Sequence, residues 1–320
     1  MASRARPQTS VGEQQLDVEG ARLTDAMDTE QARDLPLDAH LHTDLSPDSD
    51  VPIDLYAAEA AERGIAELAI TDHVDFEPGA PAFDFVPFEV RERTVREAAE
   101  RWAPRGVAIR FGAEITYDSR FEEAIRDHLR RHAYDYVIGS VHVYAGSPYS
   151  RERVGSWVAG RSLAEVMAPY FDEVERATRS GLFDTLGHLD FVKRYLVPHV
   201  TAEDLAAAPE LYERLLVALV ETGTALEVNT SGLRQAAGET YPSGAVVARF
   251  KVLGGNRISA GSDAHQKDAF ASGLEAGYGV AAAAGFRELA FRRGGERLAV
   301  SLPDRFRIRS GPNEAASPSL

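Results

Sequence analysis

Short apolar runs recur along this chain, each breaking off at a polar residue, and stretches of helical period fill the intervals between them. The runs at residues 35–39, 65–71, 107–113, 134–141, 183–186, 224–228 and 257–260 predict seven strands. They are continuous rather than alternating, as strands buried on both faces of a parallel sheet are. Helices are predicted over 52–63, where Pro52 suits a first turn and Gly64 a C-terminal stop, and over the amphipathic stretch 88–102. Further helices are expected over 121–132, from a Ser162/Glu165 capping box to residue 180, over 201–221 with a break near Pro209, and over 243–253. Strand and helix thus alternate, which implies an α/β fold with a parallel sheet or barrel. The loop at 77–87 is rich in Pro and Phe, and the longer 144–160 carries three glycines, a candidate substrate loop. Residues 1–34 have no apolar periodicity and are expected to form a disordered leader; 312–320 are expected to form a flexible tail around one domain, 35–311.

Composition narrows the class. The chain is 44% hydrophobic, ordinary for a globular protein, and its formal charge of −15 argues against a nucleic-acid partner and against an anionic membrane surface. No apolar stretch approaches the roughly 20 residues that span a bilayer. Arg4 and Arg6 precede no apolar segment of the kind a signal peptide needs, so a cytoplasmic protein is expected. There is no cysteine, which leaves imidazole and carboxylate as the only strong metal ligands.

Those ligands are where the apolar runs end. His40 and His42, His73, Glu114, His142, His188, and Asp263 with His265 each follow one of the predicted strands, and of nine histidines only His128, His132 and His199 fall outside this pattern. Parallel α/β folds build their active sites at strand C-terminal ends. His40-x-His42 and Asp263-x-His265 place two ligands on one side of an extended segment. Glu114 has two oxygens and can bridge two cations. Asp48, which also reads as a turn residue beside Pro47, is a ninth candidate. Nine nitrogen and oxygen donors suit three divalent ions, Zn, Mn or Fe, with Glu114 shared. A hydroxide held between two such ions attacks phosphorus at neutral pH, and the ions offset phosphate charge that an acidic protein would otherwise repel. The chain lacks a Gly-rich phosphate loop ending in Lys-Ser or Lys-Thr, an Asp-x-Asp-x-Thr nucleophile and a Gly-x-Ser-x-Gly elbow.

The motifs His40-Leu41-His42-Thr43, Thr71-Asp72-His73, Gly112-Ala113-Glu114, Gly139-Ser140-Val141-His142, Gly187-His188-Leu189-Asp190 and Gly261-Ser262-Asp263-Ala264-His265 resemble, in order, those of the polymerase-and-histidinol-phosphatase (PHP) superfamily. The segments around Ser46-Pro47-Asp48-Ser49 and Glu227-Val228-Asn229-Thr230-Ser231-Gly232-Leu233-Arg234 look most like its monofunctional histidinol-phosphate phosphatases. The resemblance implies a distorted (β/α)7 barrel. It implies one ion on His40, His42, Glu114 and Asp263, a second on Glu114, His142 and His188, and a third on Asp48, His73 and His265. It implies a phosphoric monoester hydrolase that converts L-histidinol phosphate and water to L-histidinol and phosphate in histidine biosynthesis, so the expected partner is a small phosphorylated substrate. Lys193, Arg194 and Arg234 are the candidate phosphate contacts. Asp190 and Asp72 are the side-chain candidates for the acid that protonates the leaving group, a task that a metal-bound water could also perform. A PHP-type phosphoesterase acting on nucleotides or short oligonucleotides, and a non-catalytic metal-stabilised binding module, are the competing readings. Oligomeric state is not legible in the sequence.

Overall fold

The computed structural model describes residues 34–143, 146–291, 296 and 298–306. The leader expected at 1–34, Asp34 apart, and the tail expected at 312–320 lie outside the described residues.

The framework consists of β1 (Asp38–Leu41), β2 (Glu67–Ile70), the two-residue β3 (His73–Val74), β4 (Ala108–Thr116), β5 (Tyr136–Ser140), β6 (Thr185–Leu186), β7 (Ala225–Asn229) and β8 (Ile258–Gly261). They pair in parallel in the spatial order β1-β2-β4-β5-β6-β7-β8, with β3 on β4. Each of the seven expected strands overlaps its predicted range. β8 returns to β1: the Asp263 amide donates to the His40 carbonyl at 2.9 Å and the His42 amide to the Ala264 carbonyl at 3.0 Å. The approach requires glycine at 261, because a Cβ there would stand 2.3 Å from the Cβ of His40. The result is a distorted (β/α)7 barrel.

The distortion centres on β4. Its first half, through Phe111, pairs with β2, and from Gly112 onward it pairs with β5 while Glu114 and Ile115 also face β3. The strand therefore runs past Glu114 to Thr116, and Glu114 lies inside it rather than at its end. His40 likewise lies within β1. An apolar-run reading stops a strand at its first buried polar residue. A barrel whose interior holds polar ligands breaks that rule.

The helices follow their sequence signals. Ile53–Arg63 ends where Gly64, at φ +71°, donates its amide to the Ala60 carbonyl. Phe88–Trp102 matches its prediction, the Ser162/Glu165 capping box opens Leu163–Arg179, and Pro209 separates Ala202–Ala206 from Glu210–Thr222. The helix Leu274–Ala283 and the antiparallel pair β9 (Glu288–Phe291) and β10 (Leu298–Ser301) were not anticipated. The first is mostly Ala and Gly, with too little polar contrast to show a helical period. In the loop expected at 144–160, Tyr149 is buried and donates its hydroxyl to the Val166 carbonyl at 2.7 Å, which fastens that part of the loop to the following helix. Tyr144 and Ala145 lie outside the described residues.

Candidate metal centre

The fold brings all nine predicted ligands to one end of the barrel. β1 and the residue after it supply His40 and His42, β3 supplies His73 and β4 supplies Glu114. His142 and His188 each stand two residues beyond β5 and β6, and Asp263 and His265 follow β8. Asp263 adopts φ +53°, a conformation that aspartate tolerates better than most residues. Asp48 comes from the loop after β1, and its side chain is 48% exposed, whereas His40, His42 and Glu114 are buried. The remaining histidines stay apart: His128 and His132 pack against Phe88, and His199 is exposed.

Three groups of donors face common points. In the deepest, His40 Nε2 and His42 Nε2 are 3.1 Å apart. Glu114 Oε2 lies 3.3 Å from both, and Asp263 Oδ1 lies 3.7 and 3.4 Å from them. Four donors about 2.0–2.1 Å from one tetrahedral centre are about 3.3 Å from each other, so these atoms have the spacing of a coordination shell. The other Glu114 oxygen, Oε1, faces His188 Nε2 at 2.9 Å and His142 Nε2 at 3.3 Å. Asp48 Oδ2 sits 3.2 Å from both His73 Nε2 and His265 Nε2. His73 also places Nδ1 3.0 Å from Glu114 Oε2, so it stands between groups. His42 in turn lies close enough to Asp48, His73 and His265 to join them. Buried and pointing into this cluster, Glu114 Oε2 has no hydrogen-bond partner among the described residues. An ion-sized space ringed by buried lone pairs is costly in a protein without ions and is satisfied by divalent cations.

Further contacts orient the rings. His40 Nδ1 donates to Glu227 at 2.6 Å, which leaves Nε2 to face the cluster. His142 Nδ1 meets Thr116 Oγ1 at 3.0 Å, and His265 Nδ1 donates to the Asp263 carbonyl at 3.1 Å. Glu227, which the sequence offered only as part of a motif, contacts the candidate ligand His40 and was given no role by the strand reading. Its signal was present, a single acidic residue inside the apolar strand Ala225–Asn229.

The electrostatics favour ligand forms. Burial alone would raise the Glu114 carboxyl, but the imidazoles of His40, His73 and His142 hold it well below the usual range; Asp263 is held down likewise by His40, His42 and His265. Burial lowers His42 and His142, which keeps them neutral as ligands must be. For His40 and His73 burial acts in the same direction, but nearby carboxylates, Glu227 for the first and Glu114 for the second, raise both well above the ordinary value. Protons on those two rings compete with ions, so ion binding releases them.

Above the cluster opens a cavity of about 1570 Å³, whose walls include Glu114, His142, His188, Arg194 and Arg234. His40 and His42 lie beneath it. Arg194 lies over the rings of Phe191 and Tyr195, at 4.9 and 5.3 Å. Arg234 also lines the cavity, but its guanidinium donates to the Ser262 and Ser272 carbonyls at 2.8 and 3.2 Å, so it braces the segment that carries Asp263.

Two expectations need correction. Lys193 does not reach the cavity: it is buried, with Nζ 2.9 Å from Asp190 Oδ2 and 2.7 Å from Glu239 Oε1. Asp190 is equally buried and also accepts from the Tyr212 hydroxyl at 2.8 Å, so it is half of an internal ion pair and not an acid facing a leaving group. Asp72, buried, accepts from the Thr43 amide and hydroxyl at 2.6 and 2.9 Å and is structural as well. A basic pair five residues past a ligand looked like a mouth residue because sequence cannot tell which way a short helix turns its side chains. Lys193→Met should therefore act on stability. Removing one member of a buried pair costs about 3–5 kcal/mol, and the lower end is expected because burial already pushes the Asp190 carboxyl up and lets it neutralise by taking a proton. Urea unfolding would read this, and an unchanged midpoint would remove Lys193 from that role.

No helix among the described residues is long and apolar enough to cross a membrane. Residues 38–231 match the sequence profile of the PHP domain family. The chain is 30% identical over 234 residues to a protein of Deinococcus radiodurans named "Probable histidinol-phosphatase", with 72% of this chain and 86% of that protein covered. It is 29% identical over 240 residues to the "Histidinol-phosphatase" of Lactococcus lactis, with 72% and 84% covered. The crystal structure of the histidinol phosphate phosphatase of Lactococcus lactis, complexed with zinc, L-histidinol and phosphate, aligns with a TM-score of 0.69 at 25% identity, over 82% of this chain and 98% of that one. A Listeria monocytogenes structure aligns with a TM-score of 0.65 at 18% identity and bears on the fold alone.

Proposed function

The chain belongs to the PHP domain family, and from that premise we propose that it is a metal-dependent phosphomonoesterase that hydrolyses L-histidinol phosphate to L-histidinol and phosphate. The observation that carries the reading is the division of Glu114 between two donor groups, one oxygen toward His40 and His42 and the other toward His142 and His188. Three divalent ions, Zn, Mn or Fe, would be held by His40, His42, Glu114 and Asp263; by Glu114, His142 and His188; and by Asp48, His73 and His265. Bound there, they supply neutralisation of phosphoryl charge and activation of water at neutral pH.

The chain's own residues do the rest. His40 and Glu114, buried, keep bulk water from the floor of the site, while Arg194 stands at its wall among Phe191 and Tyr195 to hold the phosphate. The Lactococcus lactis relative, crystallised with histidinol and phosphate, supports the organic half of the substrate.

Phosphate release measured over a panel of histidinol phosphate and nucleoside monophosphates tests the assignment. Selective turnover of histidinol phosphate is expected, and preference for the nucleotides would replace the proposal by a nucleotide phosphoesterase. Within that assay Arg194→Ala should raise KM about 10–100-fold with a smaller change in kcat, because it removes a charge-assisted contact of about 1.5–3 kcal/mol. An unchanged KM would take Arg194 out of the site. Arg234→Ala, which also frees the Asp263 segment, should change kcat and KM together.

A further inference from the structure

Glu227 is completely buried in β7, yet it is not among the donors that face the ion-sized spaces. Its two oxygens meet three donors. Oε1 accepts from His40 Nδ1 at 2.6 Å, and Oε2 accepts from the His188 main-chain amide at 2.7 Å and from Asn229 Nδ2 at 3.1 Å. Asn229 Nδ2 also lies 3.2 Å from Asp263 Oδ2, and its own oxygen is fixed by the Ser231 amide and hydroxyl at 3.0 and 2.6 Å. The carboxylate therefore joins β1, the turn after β6 and, through Asn229, the turn after β8. Each of those three carries a ligand of the centre.

The space at Oε1 depends on a glycine: a Cβ at Gly261 would stand 3.1 Å from it. Only an acceptor-only group satisfies all three partners, because a main-chain amide cannot reverse and Asn229 is held in one orientation by Ser231. Glutamine would offer one acceptor oxygen and would turn its own N–H groups on either His40 or His188.

We propose that Glu227 is a positioning residue of the metal centre, a single carboxylate that holds the His40 imidazole with Nε2 toward the ion and fixes the His188 and Asp263 turns relative to it. The inference rests on the reading of His40, His188 and Asp263 as metal-holding residues. It assigns Glu227 no contact with substrate. Its effect passes through ion affinity, and a merely structural residue would not share that effect.

The test uses the full chain, labelled with ¹⁵N-histidine and loaded with zinc, as wild type, Glu227→Gln and Tyr136→Phe. The last removes a buried hydroxyl that bonds Thr185 and Ser259 at 2.8 and 2.9 Å inside the barrel and serves as the structural control. Zinc affinity is read by chelator competition and the His40 proton by NMR, with His40→Gln to assign it. The wild type should carry the His40 proton on Nδ1, in a strongly downfield bond. Glu227→Gln should lose or shift that signal and bind zinc about 10–100-fold more weakly, the usual consequence of removing a partner that orients a ligand. Tyr136→Phe should change neither. Glu227→Gln with wild-type affinity, or a wild-type His40 protonated on Nε2 instead, would overturn the proposal, and the wild-type proton decides the matter even if the variant does not fold. A wild type that binds no zinc would overturn the proposed function as well, whereas wild-type affinity in Glu227→Gln alone would leave that function standing.

Discussion

Replacing Glu114 with glutamine is expected to reduce turnover by at least about 10³-fold, well beyond the 10–100-fold typical of residues that only orient a ligand. The substitution keeps shape and volume and changes only what the two terminal atoms offer. Oε1 faces His188 and His142, and Oε2 faces His73, His40 and His42, all within 3.3 Å. Whichever way the amide turns, its N–H₂ points at imidazole nitrogens that should face an ion, and the charge shared between two groups is gone. Loss of bound metal should accompany loss of rate, with the far-ultraviolet circular dichroism of the barrel retained. Turnover near the wild-type rate would mean that the shared carboxylate is not part of the reacting centre.

Stripping the ions with a chelator is expected to abolish activity and to lower thermal stability together. Ligands that bind only the folded state stabilise it by about 2.7 kcal/mol at a hundredfold excess over Kd, and the contributions of separate sites add. Without ions, ionised Glu114 and Asp263 are offset by protons on His40, His73 and His265, whose affinity for protons the carboxylates raise, while burial keeps His42 and His142 neutral with their lone pairs unmatched by a cation. The unfolding midpoint should fall by several degrees in a calorimetric scan and recover, with activity, on adding back Zn, Mn or Fe. A midpoint indifferent to chelator would contradict ion binding by this cluster.

Much of this was legible in the sequence because the ligands are spaced by the fold itself. Each βα unit returns the chain to the same end of the barrel, so polar residues at the ends of apolar runs had to converge there, and the eight candidates so placed did, with Asp48 joining them from the loop after β1. Strand limits were less legible where chemistry overrides the apolar pattern: Glu114 inside β4 and His40 inside β1 looked like terminators because buried strands are rarely polar. Orientation was not legible at all. Lys193 and Arg194 are neighbours in sequence, yet one turns inward to Asp190 and the other lies at the cavity wall, a choice made by packing against Tyr241 and Glu239 on one side and Phe191 on the other. Glu227 was visible as an acidic residue in an apolar strand, but its distant partners lie on β1 and in the turn after β6, and only the barrel brings them together.

Anomalous-scattering crystallography of the zinc- or manganese-loaded protein tests the proposed three-ion centre most directly. Three peaks are predicted: one among His40, His42, Glu114 and Asp263, one among Glu114, His142 and His188, and one among Asp48, His73 and His265. A single peak, or peaks away from Glu114, would contradict it.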